Sequence, residues 1–187
     1  MASKRERTAR APLDERRLEE LGLRYVGRYA TTRAKLRAYL SRKIRERGWG
    51  GSREPDLEAL ANRFAGLGYV DDAAYALSKS QALTGRGYGR RRVVEKLRLA
   101  GVGEEDGVAA TEHADSEAVA SALRFAGRRR IGPYAAEAPD PKLREKWIAA
   151  MMRAGHSFAL ARAVAGLRPE SDVDPDELGM RTRLNIR

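Results

Sequence analysis

The sequence predicts an all-α protein, built as an elongated array of three tandem three-helix repeats. Leucine and alanine dominate its apolar residues, while isoleucine and valine, which favour strands, are few. No window shows the alternation of apolar and polar residues that a half-buried strand requires. Three amphipathic segments end in glycine, at Gly48, Gly101 and Gly155, and these glycines lie 53 and 54 residues apart. A period of this length indicates a repeated supersecondary unit.

The three glycine-terminated segments also agree in their apolar positions. The residues eight and four positions before each glycine are Leu40 and Ile44, Val93 and Leu97, and Trp147 and Met151. Residues four apart lie on one face of a helix, so each segment has an apolar stripe for burial. Each glycine suits the left-handed position that follows many helices.

Weaker similarity on both sides extends each unit to three helices. The predicted organisation is a disordered basic N-terminal tail at 1–13, helical repeat 1 at 14–69, helical repeat 2 at 70–114, helical repeat 3 at 115–168 and a flexible C-terminal tail at 169–187. We expect Asp71, Asp115 and Asp140 to be N-caps, the last followed by a proline at the first helical position. A unit of about 50 residues buries a small core, so neighbouring repeats should pack together, with few contacts between the first and third.

The composition restricts the classes of partner and of chemistry. The 37 Lys and Arg residues against 26 Asp and Glu give a formal charge of +11, which favours polyanionic partners. The absence of cysteine excludes disulfides, thiol catalysis and cysteine-based zinc sites. No apolar run approaches the length of a membrane span or of a signal peptide. We therefore expect a cytoplasmic protein without membrane contact, and a monomer.

The candidate catalytic motifs have little support. The stretch GRGYG at 85–89 lacks the Lys-Ser/Thr pair of a nucleotide-binding loop and is expected to be a flexible connection between helices. His113 and His156 lie in different repeats, and His156 directly follows a capping glycine, so we expect a cap or surface role for it. Asp71-Asp72 is better explained by helix capping than by metal binding. The sequence thus predicts a protein that is not an enzyme and has no metal or cofactor.

Clusters of basic residues recur in all three repeats. The candidate contact residues are Arg33, Lys35, Arg37, Arg42 and Lys43 in the first repeat, Arg86, Arg90, Arg91, Arg92 and Lys96 in the second, and Arg128, Arg129 and Arg130 in the third. A single run of charge is usually a solvated helix surface, whereas recurrence favours a docking face. Most of these residues are arginine, whose planar guanidinium binds phosphate or carboxylate through two hydrogen bonds.

Residues 66–102 resemble the core signature of the RecX family, regulators of the bacterial RecA recombinase. The matching residues are Gly68-Tyr69-Val70-Asp71-Asp72, Tyr75-Ala76, Gly87-Tyr88-Gly89, Arg91-Arg92 and Gly101-Val102. The resemblance extends over about residues 18–168. The sequence departs from the family pattern at Tyr75 and His156, where the family usually has phenylalanine, and at 78–81, where arginines are common.

The resemblance implies a non-enzymatic protein of tandem three-helix repeats that binds the filament of RecA on single-stranded DNA. It further implies a mainly inhibitory role that damps filament extension, strand exchange and ATP hydrolysis, in the context of DNA repair and the SOS response. The alternative is a sequence-independent DNA-binding protein that acts on single- and double-stranded DNA without RecA. The low content of aromatic residues, 6%, weakens a dedicated single-strand binder, which uses aromatic rings as stacking platforms.

Overall fold

The structure is a computed structural model that describes residues 11–183. The described chain contains ten α-helices and one short 3-10 helix, with a single isolated β-bridge in place of any strand. The α-helices are α1 (Glu15–Val26), α2 (Arg33–Arg47), α3 (Leu57–Gly66), α4 (Asp72–Gly85), α5 (Arg90–Leu99), α6 (Glu104–Ser116), α7 (Ala118–Arg129), α8 (Pro141–Arg153), α9 (Phe158–Ala165) and α10 (Pro175–Arg183). The predicted all-α class is confirmed.

The chain divides after Tyr75 into two compact units. The first unit contains α1, α2, α3 and the first turn of α4, around one hydrophobic cluster that includes Leu36, Leu40 and Phe64. The second unit contains the remaining helices around two clusters, one including Val93 and Leu97 and the other including residues of α7, α8, α9 and α10. The three-repeat organisation and its boundaries stay a prediction.

The three glycine-terminated helices, α2, α5 and α8, bury the stripe that the sequence predicts. Leu40, Val93, Leu97 and Met151 are each at most 4% exposed, and the other two stripe positions pack against the same clusters. Gly48, Gly101 and Gly155 all have positive φ, of 82°, 71° and 100°. Positive φ costs glycine no steric energy, which is why each helix ends there.

Two of the three predicted aspartate caps are confirmed. The backbone N–H of Ala74 donates to Asp71, and that of Leu143 donates to Asp140. The prediction for Asp115 is wrong, because Asp115 lies inside α6 and only Glu117 separates α6 from α7. No polar side chain is needed to cap a helix that follows another almost without interruption.

The predicted N-terminal tail ends earlier than residue 13. Leu13 is fully buried, and its N–H donates to the carbonyl of Gly48 at 2.9 Å. The N–H of Gly50 returns a bond of 2.8 Å to the carbonyl of Leu13. This pairing fastens the segment before α1 to the segment after α2, so Leu13 belongs to the core of the first unit. Residues 1–10 of the predicted tail lie outside the described residues.

The prediction of a flexible C-terminal tail from residue 169 is also wrong for residues 175–183. Residues 175–183 form α10, which contacts α7 and α9. Leu178 is 4% exposed and belongs to the cluster beneath these helices. Asp174 caps the helix by accepting from the N–H of Asp176 and Glu177. An acidic, proline-containing segment therefore covers part of the core through Leu178 and the half-buried Val173. Residues 184–187 lie outside the described residues.

Candidate functional site

The second and third glycines of GRGYG, Gly87 and Gly89, form a packing seam inside the second unit. A Cβ on Gly87, whose φ is +74°, would lie 2.8 Å from the backbone nitrogen of Phe125. A Cβ on Gly89 would lie 2.5 Å from the carbonyl carbon and oxygen of Gly155. The N–H of Gly89 donates to the carbonyl of Ala154 at 3.0 Å. The segment is thus held against α7 and the end of α8, and the expectation of a flexible loop is wrong.

His156 completes this seam from the other side. It is 2% exposed, and its ring lies 5.8 Å from that of Phe125. Its Nε2 is 3.1 Å from the carbonyl of Gly87, which can only accept, so Nε2 carries the proton and donates. Nδ1 is buried and has no hydrogen-bond partner within residues 11–183. The predicted cap or surface role is wrong, because His156 is buried against Phe125 and Gly87.

Burial lowers the pKa of His156 below its ordinary value of 6.5, although the hydrogen bond to Gly87 opposes this shift. The folded state therefore binds fewer protons than the unfolded state, and its stability falls as the pH drops below about 6.5. We expect this loss to reach at most about 1.4 kcal/mol per pH unit. His156→Phe should remove that part of the pH dependence. Denaturant unfolding at several pH values measures the free energy of unfolding as a function of pH. If this free energy changed equally with pH in wild type and variant, the prediction would be contradicted.

The three arginines that open α5 have different surroundings. Arg90 Nε lies 3.0 Å from the carboxylate of Asp115, and Arg92 NH1 lies 2.8 Å from that of Glu95. Arg91 is exposed and has no side-chain ion pair within the described range. Lys96, one turn further on, is half-buried. All of these groups sit near the surface, where ion pairs contribute about 0–1 kcal/mol and exchange readily with a partner's carboxylates or phosphates.

Two arginines of α7, Arg124 and Arg128, contact the segment that precedes α5. The guanidinium of Arg128 donates to the backbone carbonyl of Arg86, which is itself exposed. Arg129 lies 6.0 Å from the ring of Phe125, and Arg130 ends α7 in the left-handed conformation with φ 52°. Arg124, which sequence reasoning missed, donates to the carbonyl of Thr84 at 3.3 Å. Arg128 thus contacts the loop before α5 and Arg124 the last turn of α4, whereas the contacts of Arg129 and Arg130 lie at the end of α7 itself.

In the first unit, the predicted contact residues Arg33 and Lys35 both bond to residues at the start of α4. Asp72 is 6% exposed and accepts from both the backbone N–H and Nε of Arg33, at 2.9 and 3.2 Å. Lys35 donates to the hydroxyl of Tyr75, and its Nζ lies 4.6 Å from the centre of that ring. Asp72 therefore anchors the start of α2, a role that its place beside Asp71 in the sequence did not indicate.

The other three lie further along α2. Arg37 pairs with Glu58 of α3. Arg42 and Lys43 both pair with Glu46, at 3.6 and 2.5 Å. The hydrogen bond from Lys43 is the main cause that lowers the pKa of Glu46. These side chains form a cationic surface on α2 in which only part of the charge is balanced.

Within 11–183, no cluster of three or more histidine, aspartate or glutamate side chains is suited to hold a metal ion. No helix in the same range has the length and apolar character needed to cross a membrane.

Comparison with known proteins assigns the family. The chain is 34% identical over 161 residues to the regulatory protein RecX of Myxococcus xanthus, covering 81% of this chain and 86% of that one. The chain belongs to the RecX family. A RecX protein of Agrobacterium fabrum is 32% identical over 76% of this chain and 78% of its own. No protein-family model matches the sequence.

The RecX crystal structure from Lactobacillus salivarius supports the fold. Its TM-score with this chain is 0.58, covering 80% of this chain and 92% of that one, at 15% sequence identity. The resemblance that the sequence signature indicated is therefore confirmed, and the helical fold is that of RecX. These RecX relatives are named regulatory proteins and not enzymes.

Proposed function

We propose that this protein regulates the RecA recombinase, mainly as an inhibitor. It binds the filament that RecA forms on single-stranded DNA and damps filament extension, strand exchange and ATP hydrolysis. The observation that carries the proposal is the identity of 34% to a regulatory RecX protein over most of both chains. The cytoplasm, where bacterial DNA is found, is its proposed location, and the proposed active form is a monomer.

The surface around the start of α5 supplies a physical basis for docking. Arg91 is exposed on this surface and has no ion pair within the described range. Its neighbours Arg90 and Arg92 form surface ion pairs, with Asp115 and Glu95, that a partner's anionic groups could replace. The seam formed by Gly89 and Gly155 fixes the backbone from which these side chains project. Three guanidinium groups on a rigid base suit a partner rich in carboxylate or phosphate, because the backbone that carries them is already ordered before binding.

Inhibition of RecA is the direct test. The rate of ATP hydrolysis by RecA on single-stranded DNA is measured while wild-type protein is added in increasing amounts, and we expect the rate to fall. RecA should also be pulled down by the tagged protein more efficiently when single-stranded DNA is present. An unchanged rate at excess protein would contradict the proposal.

Sequence-independent DNA binding without RecA is the second candidate function, and the charge of +11 favours it. Released counterions drive such binding, so we expect affinity for any sequence to fall at least tenfold between about 50 and 200 mM salt. Fluorescence anisotropy with two unrelated oligonucleotides measures this. Affinity that is independent of salt, or confined to one sequence, would contradict the electrostatic basis.

A further inference from the structure

A groove of about 960 Å³ lies beside α1 and α2 in the first unit, and three tyrosines line it. The rings of Tyr25 and Tyr39 stack, with centres 4.2 Å apart and planes 12° apart. The ring of Tyr29 tilts against Tyr25 at 5.4 Å and 49°. Tyr25 and Tyr39 are half-buried, whereas Tyr29 is 58% exposed. The stacked pair thus supports an outer aromatic ring whose surface is open to solvent.

The rest of the lining is strongly cationic. The described lining residues include six cations and no carboxylate, the cations being Arg24, Arg28, Lys35, Arg42, Lys43 and Arg45. Arg42 and Lys43 lie 5.7 and 5.8 Å from the centre of the Tyr39 ring. Cations and aromatic rings therefore lie side by side in this groove.

Carboxylates outside the lining balance only part of this charge. Glu46 pairs with Arg42 and Lys43, and Glu20 lies 3.7 Å from Arg24. Arg28 and Arg45 are both exposed, and neither has an ion pair within residues 11–183. A net positive charge remains next to Tyr29, available to an anionic ligand.

We propose that this groove binds a segment of single-stranded nucleic acid, with an unpaired base on Tyr29 and phosphates on Arg28 and its neighbouring cations. Aromatic side chains stack on any base, and cations beside them follow the backbone without reading sequence. Bases in a duplex are already stacked on one another, so a duplex can use the cations but not the ring. An acidic peptide would likewise leave the aromatic surface unused.

The assignment rests on the proposed function in one respect, namely that the protein works on single-stranded DNA. It needs no contact with RecA. It also changes the interpretation of aromatic content: the overall fraction is low, but three of the seven tyrosines of the chain line one groove.

The test uses the full-length protein and a fluorescein-labelled oligothymidylate of about 15 nucleotides. Tyr29→Ala should weaken binding about tenfold, because one base loses its stacking partner. Tyr29→Phe keeps the ring and should bind within about twofold of wild type. Tyr69→Ala is the matched control, since Tyr69 is 52% exposed in the same unit but lies outside the groove. Circular dichroism checks that each variant is folded.

Two further arms separate stacking from charge. Binding to a duplex of equal length should be unchanged by Tyr29→Ala, which removes no charge. Arg28→Ala should reduce the slope of log affinity for oligothymidylate against log salt concentration by about one, which corresponds to one lost phosphate contact. Arg153→Ala, which removes an exposed arginine of α8, should leave this slope unchanged.

Several results would overturn the groove. Tyr29→Ala could bind oligothymidylate as tightly as wild type, or Tyr69→Ala could lose as much affinity as Tyr29→Ala. Tyr29→Ala could also weaken duplex binding as much as oligothymidylate binding. Finally, polyglutamate could compete for the protein as strongly as unlabelled oligothymidylate does. The last result would assign the groove to an acidic protein. The proposed function fails separately: wild-type protein that binds oligothymidylate but leaves RecA's ATP hydrolysis unchanged would overturn regulation of RecA and leave the groove standing.

Discussion

Replacing Gly155 with alanine should destabilise the second unit by about 2–6 kcal/mol. The new Cβ would lie 2.5 Å from the backbone nitrogen of Arg92 and 2.9 Å from the carbonyl oxygen of Gly89, and backbone atoms cannot rotate away as a side chain can. Overpacking of this kind costs about 1–3 kcal/mol, and a non-glycine residue at a φ of +100° costs about 1–3 kcal/mol more. The contact lies directly beneath the arginines of α5, so the same change should also displace the proposed docking surface.

Denaturant unfolding followed by circular dichroism measures this loss. Gly85→Ala is the matched control, because Gly85 lies in α4 and an added Cβ would meet nothing within 4 Å. Alanine is also the better helix former there, so the control should be neutral or stabilised by up to about 1 kcal/mol. Equal stability of Gly155→Ala and wild type would mean that the seam relaxes freely and does not fix the start of α5.

The periodic features of the fold could be predicted from the sequence because they depend on local geometry. The stripe at Leu40, Val93 and Met151 follows from the helical repeat alone, and the glycines after α2, α5 and α8 follow from the cost of positive φ. Leu13 and Leu178 could not be found in this way. Neither residue belongs to a periodic apolar pattern in the sequence. Each joins a hydrophobic core only because elements distant in the sequence pack against it.

The candidate site was predictable in composition but not in arrangement. The sequence identified the arginines of α5, yet Arg90 and Asp115 are paired across 25 positions and no local pattern indicates it. The same limitation applies to Gly89, where the need for glycine comes from the distant Gly155. It applies in part to Gly87, which has a positive φ of its own but would also bring a Cβ against Phe125. His156 was placed at a surface because its neighbouring glycine suggests a helix end, whereas the long-range contact with Gly87 buries it.

Replacing Arg90, Arg91 and Arg92 together with alanine should greatly weaken inhibition of RecA while leaving the fold intact. The variant loses two surface ion pairs, with Asp115 and Glu95, each contributing about 0–1 kcal/mol, and alanine's helix propensity offsets part of that. Each charge-assisted contact that is fully made with a partner contributes about 1.5–3 kcal/mol, so the loss in binding is much larger than the loss in stability. Among single variants, Arg91→Ala should have the largest effect, because Arg91 has no ion pair to give up within the described part of the chain.

The assay is ATP hydrolysis by RecA on single-stranded DNA with increasing amounts of wild type or variant, and circular dichroism confirms that each remains helical. A second triple variant, with Lys142, Arg144 and Lys146 of α8 replaced by alanine, removes the same charge from exposed positions and should inhibit like wild type. If both triple variants lose inhibition equally, net charge alone governs binding and no docking face exists at α5. If the α5 variant inhibits as well as wild type, its arginines are solvated surface. The proposed contact with RecA then moves to the cationic surface of α2, whose Arg42 and Lys43 share a single carboxylate, that of Glu46.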